Sequence, residues 1–238
     1  MSTRFSELAL IAAAAMLAAC HSTPQAPEEA QAKPATAMST PAQPNAQKAD
    51  KAQKADKAQK ADKSNAAAPV DVDKKSQKLF TDALAAIEGK RFTDAATLLS
   101  ELTRREPGLS SAWFNLGMVQ SELGDESGAE ASLKKAVEAN PDNCAAYTEL
   151  GLLRRRAGDF AGAEANYLAC VARVPDFREA HLNLGILYEL YLGRLPEALD
   201  AYRAYLALLD GEDRRVSGWV KDLERRLAPV SQRSVSQS

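Results

Sequence analysis

The stretch SAWFNLGMVQSELGDESGAEASLKKAVEANP, residues 111–141, carries a pattern that recurs on both sides of it. Trp113 is followed at the spacing W-x-x-L-G by Leu116 and Gly117, Ala129 by Leu133 four residues on, and Pro141 closes the stretch. A step of 34 residues lands on the same residue types: Pro107, Pro141 and Pro175; Leu116-Gly117, Leu150-Gly151 and Leu184-Gly185; Ala95, Ala129 and Ala163. Three independent markers sharing one period define an internal repeat. Within the stretch, Leu116, Val119 and Leu123, then Ala129, Leu133 and Val137, recur at helical spacing. Gly124 falls between the two runs and Gly158 at the same place in the next unit, each a natural break. Each proline ends a second helix, because the residue before a proline is pushed out of the helical region. Gly117 and Gly151 let neighbouring helices approach where a side chain would obstruct. One such hairpin cannot bury its apolar face alone, so the units must stack.

This pattern resembles the tetratricopeptide repeat, a helix–turn–helix of about 34 residues. The third unit supplies Tyr147, Leu150, Gly151, Ala163, Tyr167 and Pro175; the fourth supplies His181, Leu184, Gly185, Tyr188, Ala198 and Tyr202. The first is degenerate, with Leu79, Ala83, Ala95, Leu99 and Pro107. The resemblance covers residues 76–210, in units 76–109, 110–143, 144–177 and 178–210. It implies an all-α, right-handed superhelix. Unit four departs from the pattern: Gly185 to Ala198 is one residue longer than Gly151 to Ala163, which places an insertion near Tyr191-Leu192-Gly193. Pro196 then stands where a first-turn proline can open the second helix. Asp210-Gly211 replaces the closing proline. Beyond it, Val216, Trp219, Val220, Leu223 and Leu227 share one helical face with a charged face opposite, as a terminal capping helix over 211–227 requires.

The amino-terminal end reads MSTRFSELALIAAAAMLAAC, with Arg4, an apolar run from Leu8 to Leu17, and small residues before Cys20. That is the layout of a secretory signal, 1–19. The run is too short for a stable membrane-spanning helix, which needs about 20 apolar residues. Leu17-Ala18-Ala19-Cys20 resembles the bacterial lipoprotein box, which implies lipidation of Cys20 after cleavage before it. An ordinary secretory signal with an incidental cysteine is the other reading. By the same resemblance, His21 rather than Asp after the cysteine favours the outer membrane, with the chain facing the periplasm. Residues 20–75 are rich in Ala, Lys, Pro and Gln and are expected to be a disordered linker. Within it AQKADK occurs three times over residues 46–63, with six lysines against three aspartates and no large apolar residue. It reads as a spacer, or as a segment that clings to anionic lipid or cell-wall polymer. Residues 228–238 are a Ser/Gln-rich tail, also expected to be disordered.

Charge is nearly balanced, 30 basic against 32 acidic residues in 238, unlike a nucleic-acid protein, which is usually clearly basic. The chain has two histidines. His21 adjoins the anchor, and His181 takes the packing position of Trp113 and Tyr147. No second histidine or cysteine stands near His181 at metal-ligand spacing. No phosphate-binding glycine loop and no nucleophile elbow occurs. No catalytic residue, cofactor, metal or small-molecule substrate is expected. Cys144 would start the first helix of unit three and Cys170 would lie near the end of its second, two ends that lie side by side in an antiparallel hairpin. An exported chain meets an oxidising compartment, where such thiols pair. The alternative is that Cys170 fills the small packing position held by Ala136 in unit two and stays free.

In the tetratricopeptide family the first helices line a concave groove that holds extended or helical peptides. Matching positions here are Phe114, Asn115, Met118 and Glu122; Thr148, Glu149, Leu152 and Arg156; and Leu182, Asn183, Ile186 and Leu190. Asn115 and Asn183 precede the Leu-Gly pair, where an asparagine in the family bonds the backbone of a bound peptide. Glu149 interrupts that ladder. Arg155 and Arg156 are the only nearby cations, too few for the family's carboxylate clamp. The other reading is that these residues merely face a wet groove. The expected function is a non-enzymatic, lipid-anchored scaffold for a protein or peptide partner. Tetratricopeptide lipoproteins of this plan include pilotins of type IV pilus secretins and factors in envelope assembly, motility and transport. An accessory to a cell-wall enzyme and a passive tether are the alternatives.

Overall fold

A computed structural model describes residues 72–229, and within them the chain is helical. The signal, the linker, Cys20 and the tail beyond Pro229 lie outside the described residues. Four helix pairs follow one another: α1 (Lys74–Glu88) with α2 (Phe92–Arg105), α3 (Ser110–Glu122) with α4 (Glu126–Ala139), α5 (Cys144–Arg156) with α6 (Phe160–Arg173), and α7 (Arg178–Leu187) with α8 (Leu195–Ala207). A last helix, α9 (Arg214–Leu227), packs on α8. The repeat stack begins earlier than Ser76: Asp73 caps α1 by accepting from the Ser76 N–H at 2.7 Å, and Arg105 of α2 holds the same carboxylate at 2.7 Å.

The turn inside each pair reuses one device. Gly124 and Gly158 have φ of +82° and +80°, and Asp125 and Asp159 then cap the next helix by accepting from the N–H of Gly128 and Gly162 at 2.9 Å. The Gly162 N–H is the main reason the Asp159 carboxyl titrates below its usual range, with Arg154 adding to it. One period upstream, the left-handed position falls on Lys90, at φ +55°. A side chain in that region is strained, whereas glycine enters it freely. Lys90→Gly is therefore expected to raise stability by about 1 kcal/mol, less than the full left-handed penalty because glycine also loses more backbone freedom on folding. An unchanged or lower melting temperature would contradict this.

The second helices stop two residues short of Pro107, Pro141 and Pro175, with the backbone outside the helical region at Glu106, Asn140 and Val174. Between units two and three lies a buried polar relay. Asn143 caps α5 by accepting from the Ala146 N–H at 3.0 Å and donates to Ser110 Oγ at 2.8 Å; Ser110 in turn donates to the Ala136 carbonyl at 2.7 Å. Unit four takes up its extra residue in a π-helical turn, Tyr188–Leu192, ended by Gly193 at φ +66°. The turn brings Arg194 over the Tyr188 ring, 4.4 Å from its centroid, and onto Glu164 of α6 at 2.9 Å; Tyr188 donates to the same carboxylate at 2.9 Å. Burial and Glu164 push the Tyr188 hydroxyl up to about 12.

On α9, Val216, Val220 and Leu223 are buried and Trp219 lies 5.3 Å from the Tyr202 ring. Leu227, the last residue of α9, is not buried with that face and is 39 % exposed. Leu123 also departs from the expected apolar face. It is the last-turn residue before the Gly124 turn and is 47 % exposed.

Candidate peptide-binding surface

The first helices α1, α3, α5 and α7 present the same registers to one face of the stack. Adjacent first helices touch there: Arg156 at the end of α5 donates to Ser121 Oγ at the end of α3, at 3.3 Å. The structure divides the twelve expected groove residues. Asn115, Met118, Glu149 and Leu190 are half-buried, and Glu122 and Arg156 are exposed. Phe114, Thr148, Leu152, Leu182, Asn183 and Ile186 are buried. Phe114 packs with Leu150 and Leu153 of the next first helix, while Leu182 and Ile186 share a cluster with Val216, Val220 and Leu223 of α9. Those six are packing residues of the stack rather than an open lining.

The two asparagines do not present a free ladder. Asn115 Nδ2 donates to the Ser111 carbonyl and Asn183 Nδ2 to the Glu179 carbonyl, each at 2.8 Å and each one turn back in its own helix. Arg155 is 3 % exposed, with its guanidinium 5.2 Å from the Tyr191 ring, which itself lies 5.1 Å from Phe160. Glu189 in the π-helical turn accepts from Tyr202 at 3.1 Å and from Arg226 of α9 at 2.9 Å.

Sequence reasoning passed over unit one. Leu84 lies one period before Met118, Phe80 before Phe114 and Glu88 before Glu122. Leu84 is 37 % exposed, Phe80 half-buried and Glu88 exposed. The 34-residue step alone would have found them.

His181 is a packing residue: its Nε2 lies 2.8 Å from the Pro175 carbonyl, as Trp113 Nε1 lies 2.8 Å from that of Pro107. A carbonyl can only accept, so the proton sits on Nε2. Among the described residues no three His, Cys, Asp or Glu side chains are grouped to hold a metal ion, and no helix is long and apolar enough to cross a membrane. Cys144 and Cys170 face each other across the α5–α6 hairpin. Their sulfurs are at bonding distance and their Cα atoms 4.9 Å apart, inside the roughly 7 Å limit for a bridge. They occupy the registers of Ser110 and Ala136, where unit two instead has the 2.7 Å hydrogen bond.

No curated protein matches the chain in sequence. Among solved structures, MamA (residues 41 to the end) from Desulfovibrio magneticus RS-1 superposes with a TM-score of 0.55 at 19% identity, over 65% of this chain and 86% of that one. A tetratricopeptide repeat protein from Parabacteroides merdae gives 0.57 at 20% identity, over 64% and 60%. Likeness at this identity speaks for the fold alone. The sequence profile of the tetratricopeptide repeat matches residues 80–143 and 148–213, more than half of the chain. With four hairpins at one period, glycines under the bulky residue of the second helix and prolines closing three of the units, the chain belongs to the tetratricopeptide-repeat family.

Proposed function

We propose that this chain is a lipoprotein of a bacterial outer membrane, anchored through Cys20 and facing the periplasm, whose repeat stack holds a protein or peptide partner on the concave face. The partner belongs to an envelope assembly such as a pilus, motility, transport or envelope-building complex. The observation that carries the compartment is the placement of Cys144 and Cys170. Two fully buried cysteines set at disulfide spacing on facing helix ends suit an oxidising compartment, and reduced thiols are the rule in the cytosol. The start of the chain, with Cys20 behind an apolar run and small residues, supplies the route there. Acyl chains on Cys20 would contribute about 0.8 kcal/mol per buried methylene, and two or more chains make a lasting anchor.

Cys20→Ser is expected to move the protein from the outer-membrane fraction to the soluble periplasm, or to leave it with an uncleaved signal. Normal processing and continued sedimentation with the outer membrane would show that lipidation of Cys20 is not the anchor.

A further inference from the structure

We propose that an envelope thiol oxidase makes the Cys144–Cys170 bridge while the chain is still being exported, before unit four docks, and that the folded stack then shuts the pair off from thiol–disulfide exchange. This rests on the reading of the chain as exported and lipidated, and adds to it a partner and an order of events. Both cysteines are 0 % exposed. Their cover has two sources. Tyr147, Val171 and Val174 come from the α5–α6 hairpin and the turn after it. Phe177 and Ala180 are the N-cap and a first-turn residue of α7, the first helix of unit four. The hairpin alone sets the two Cα atoms 4.9 Å apart, and α7 completes the burial of the sulfurs. Exchange needs a thiolate that an incoming disulfide can reach, which a sulfur with no accessible surface does not offer. The bond therefore forms after the hairpin and before the cover. Export supplies that window: the chain enters amino terminus first, so Cys144 and, 26 residues later, Cys170 arrive ahead of residues 178–210.

The oxidant is a protein whose own cysteine pair is held as a disulfide. The Cys144 thiolate attacks one sulfur of that disulfide, and the other sulfur leaves as a thiolate. A mixed disulfide results. The Cys170 thiolate then attacks the Cys144 sulfur, closes the Cys144–Cys170 bond and releases the oxidase's first sulfur. Two electrons pass to the oxidase, and the two thiol protons end on its dithiol. Cys20 is the chain's one other cysteine. With its sulfur held as the lipid thioether, a single pairing remains, and no disulfide isomerase is needed to correct it.

The reduced full chain in detergent is treated with oxidised glutathione, folded in buffer or unfolded in urea, and loss of free thiol is followed by alkylation. Reaction in the folded state is expected to be slower by about a hundredfold or more, because the sulfurs are then met only in local openings. Phe177→Ser thins the α7 cover and should speed the folded-state reaction by about tenfold, leaving the rate in urea unchanged. Phe80→Ser, a half-buried aromatic in the cluster of unit one, should not. Equal rates in buffer and urea would overturn the order of events while the compartment stands. Equal acceleration by Phe80→Ser would show that α7 is not the seal. Bridge formation is then compared in bacteria lacking the envelope thiol oxidase and in bacteria lacking the disulfide isomerase. Loss of the oxidase should leave both thiols reduced, and loss of the isomerase should change nothing. A normal bridge without the oxidase would remove the partner. Bridges from Cys20 to either cysteine in the isomerase-lacking cells would overturn the single pairing and the lipid anchor together, and leave the burial argument intact.

Discussion

Reduction of a Cys144–Cys170 bridge is expected to lower the stability of the repeat stack by about 3.5 kcal/mol, the chain-entropy value for a loop of this length. The two residues are 26 apart, so the bridge closes a loop spanning nearly all of unit three. A closed loop removes conformations from the unfolded chain, and both sulfurs are fully buried, so the native packing changes little on reduction. The loss should not stay in unit three. Tyr147, Val171, Val174 and Phe177 pack against the cysteines and Ala180, which ties the start of unit four to the same cluster. Urea unfolding followed by circular dichroism, with and without a strong reductant, reads the difference as a shift in midpoint. Thiol alkylation in urea without reductant gives the independent measure. If both cysteines alkylate there and the two midpoints coincide, the thiols are free, and the argument for an oxidising compartment goes with them.

The repeat was legible because its markers are contacts. Leu-Gly recurs at 34 residues because the glycine is where the second helix lays Leu133, Tyr167 or Tyr202 against the first. The one-residue excess in unit four could be counted, and it surfaces as the π-helical turn ended by Gly193. Openness of the groove could not be counted. Leu152 and Met118 share a register and a residue class, yet one is buried and the other half-buried, a difference set by the packing of neighbouring helices that the register does not encode. Asn115 and Asn183 had the right register for a peptide ladder, but an asparagine side chain also reaches its own helix one turn back, and sequence cannot choose between those partners. Leu84 escaped because the groove positions were counted from the Leu-Gly pair, which unit one replaces with Asp82-Ala83, although Ala95 and Pro107 fix its register. The cysteine pair was visible as two facing helix ends. Its spacing of 4.9 Å needed the actual tilt of α5 against α6.

Gly151→Leu is expected to destabilise the stack by about 3 kcal/mol, the upper end of ordinary overpacking. A Cβ atom at residue 151 would lie 2.3 Å from Tyr167 Cε1 and 2.7 Å from both Cδ1 and Cζ, closer than carbon atoms approach without displacement. The Tyr167 ring has no room to retreat. It is fully buried, and its cluster continues through Ala163 into Leu182 and Leu184 of the next unit. Gly117→Leu makes a useful contrast: there a Cβ meets the flexible Leu133 side chain at 2.7 Å, which can change rotamer where an aromatic ring cannot. The cost at Gly117 should therefore be the smaller. Each unit is stabilised through its neighbours, so damage at Gly151 should also loosen units two and four, which hydrogen exchange would register as faster exchange in α4 and α7. The pair Gly151→Ala and Tyr167→Leu tests the cause directly. If the clash is with the ring, Tyr167→Leu should recover part of what Gly151→Ala loses, a coupling measurable as a double-mutant cycle. Strict additivity of the two, or a melting temperature for Gly151→Leu equal to that of the wild type, would mean that α5 and α6 do not meet at this glycine.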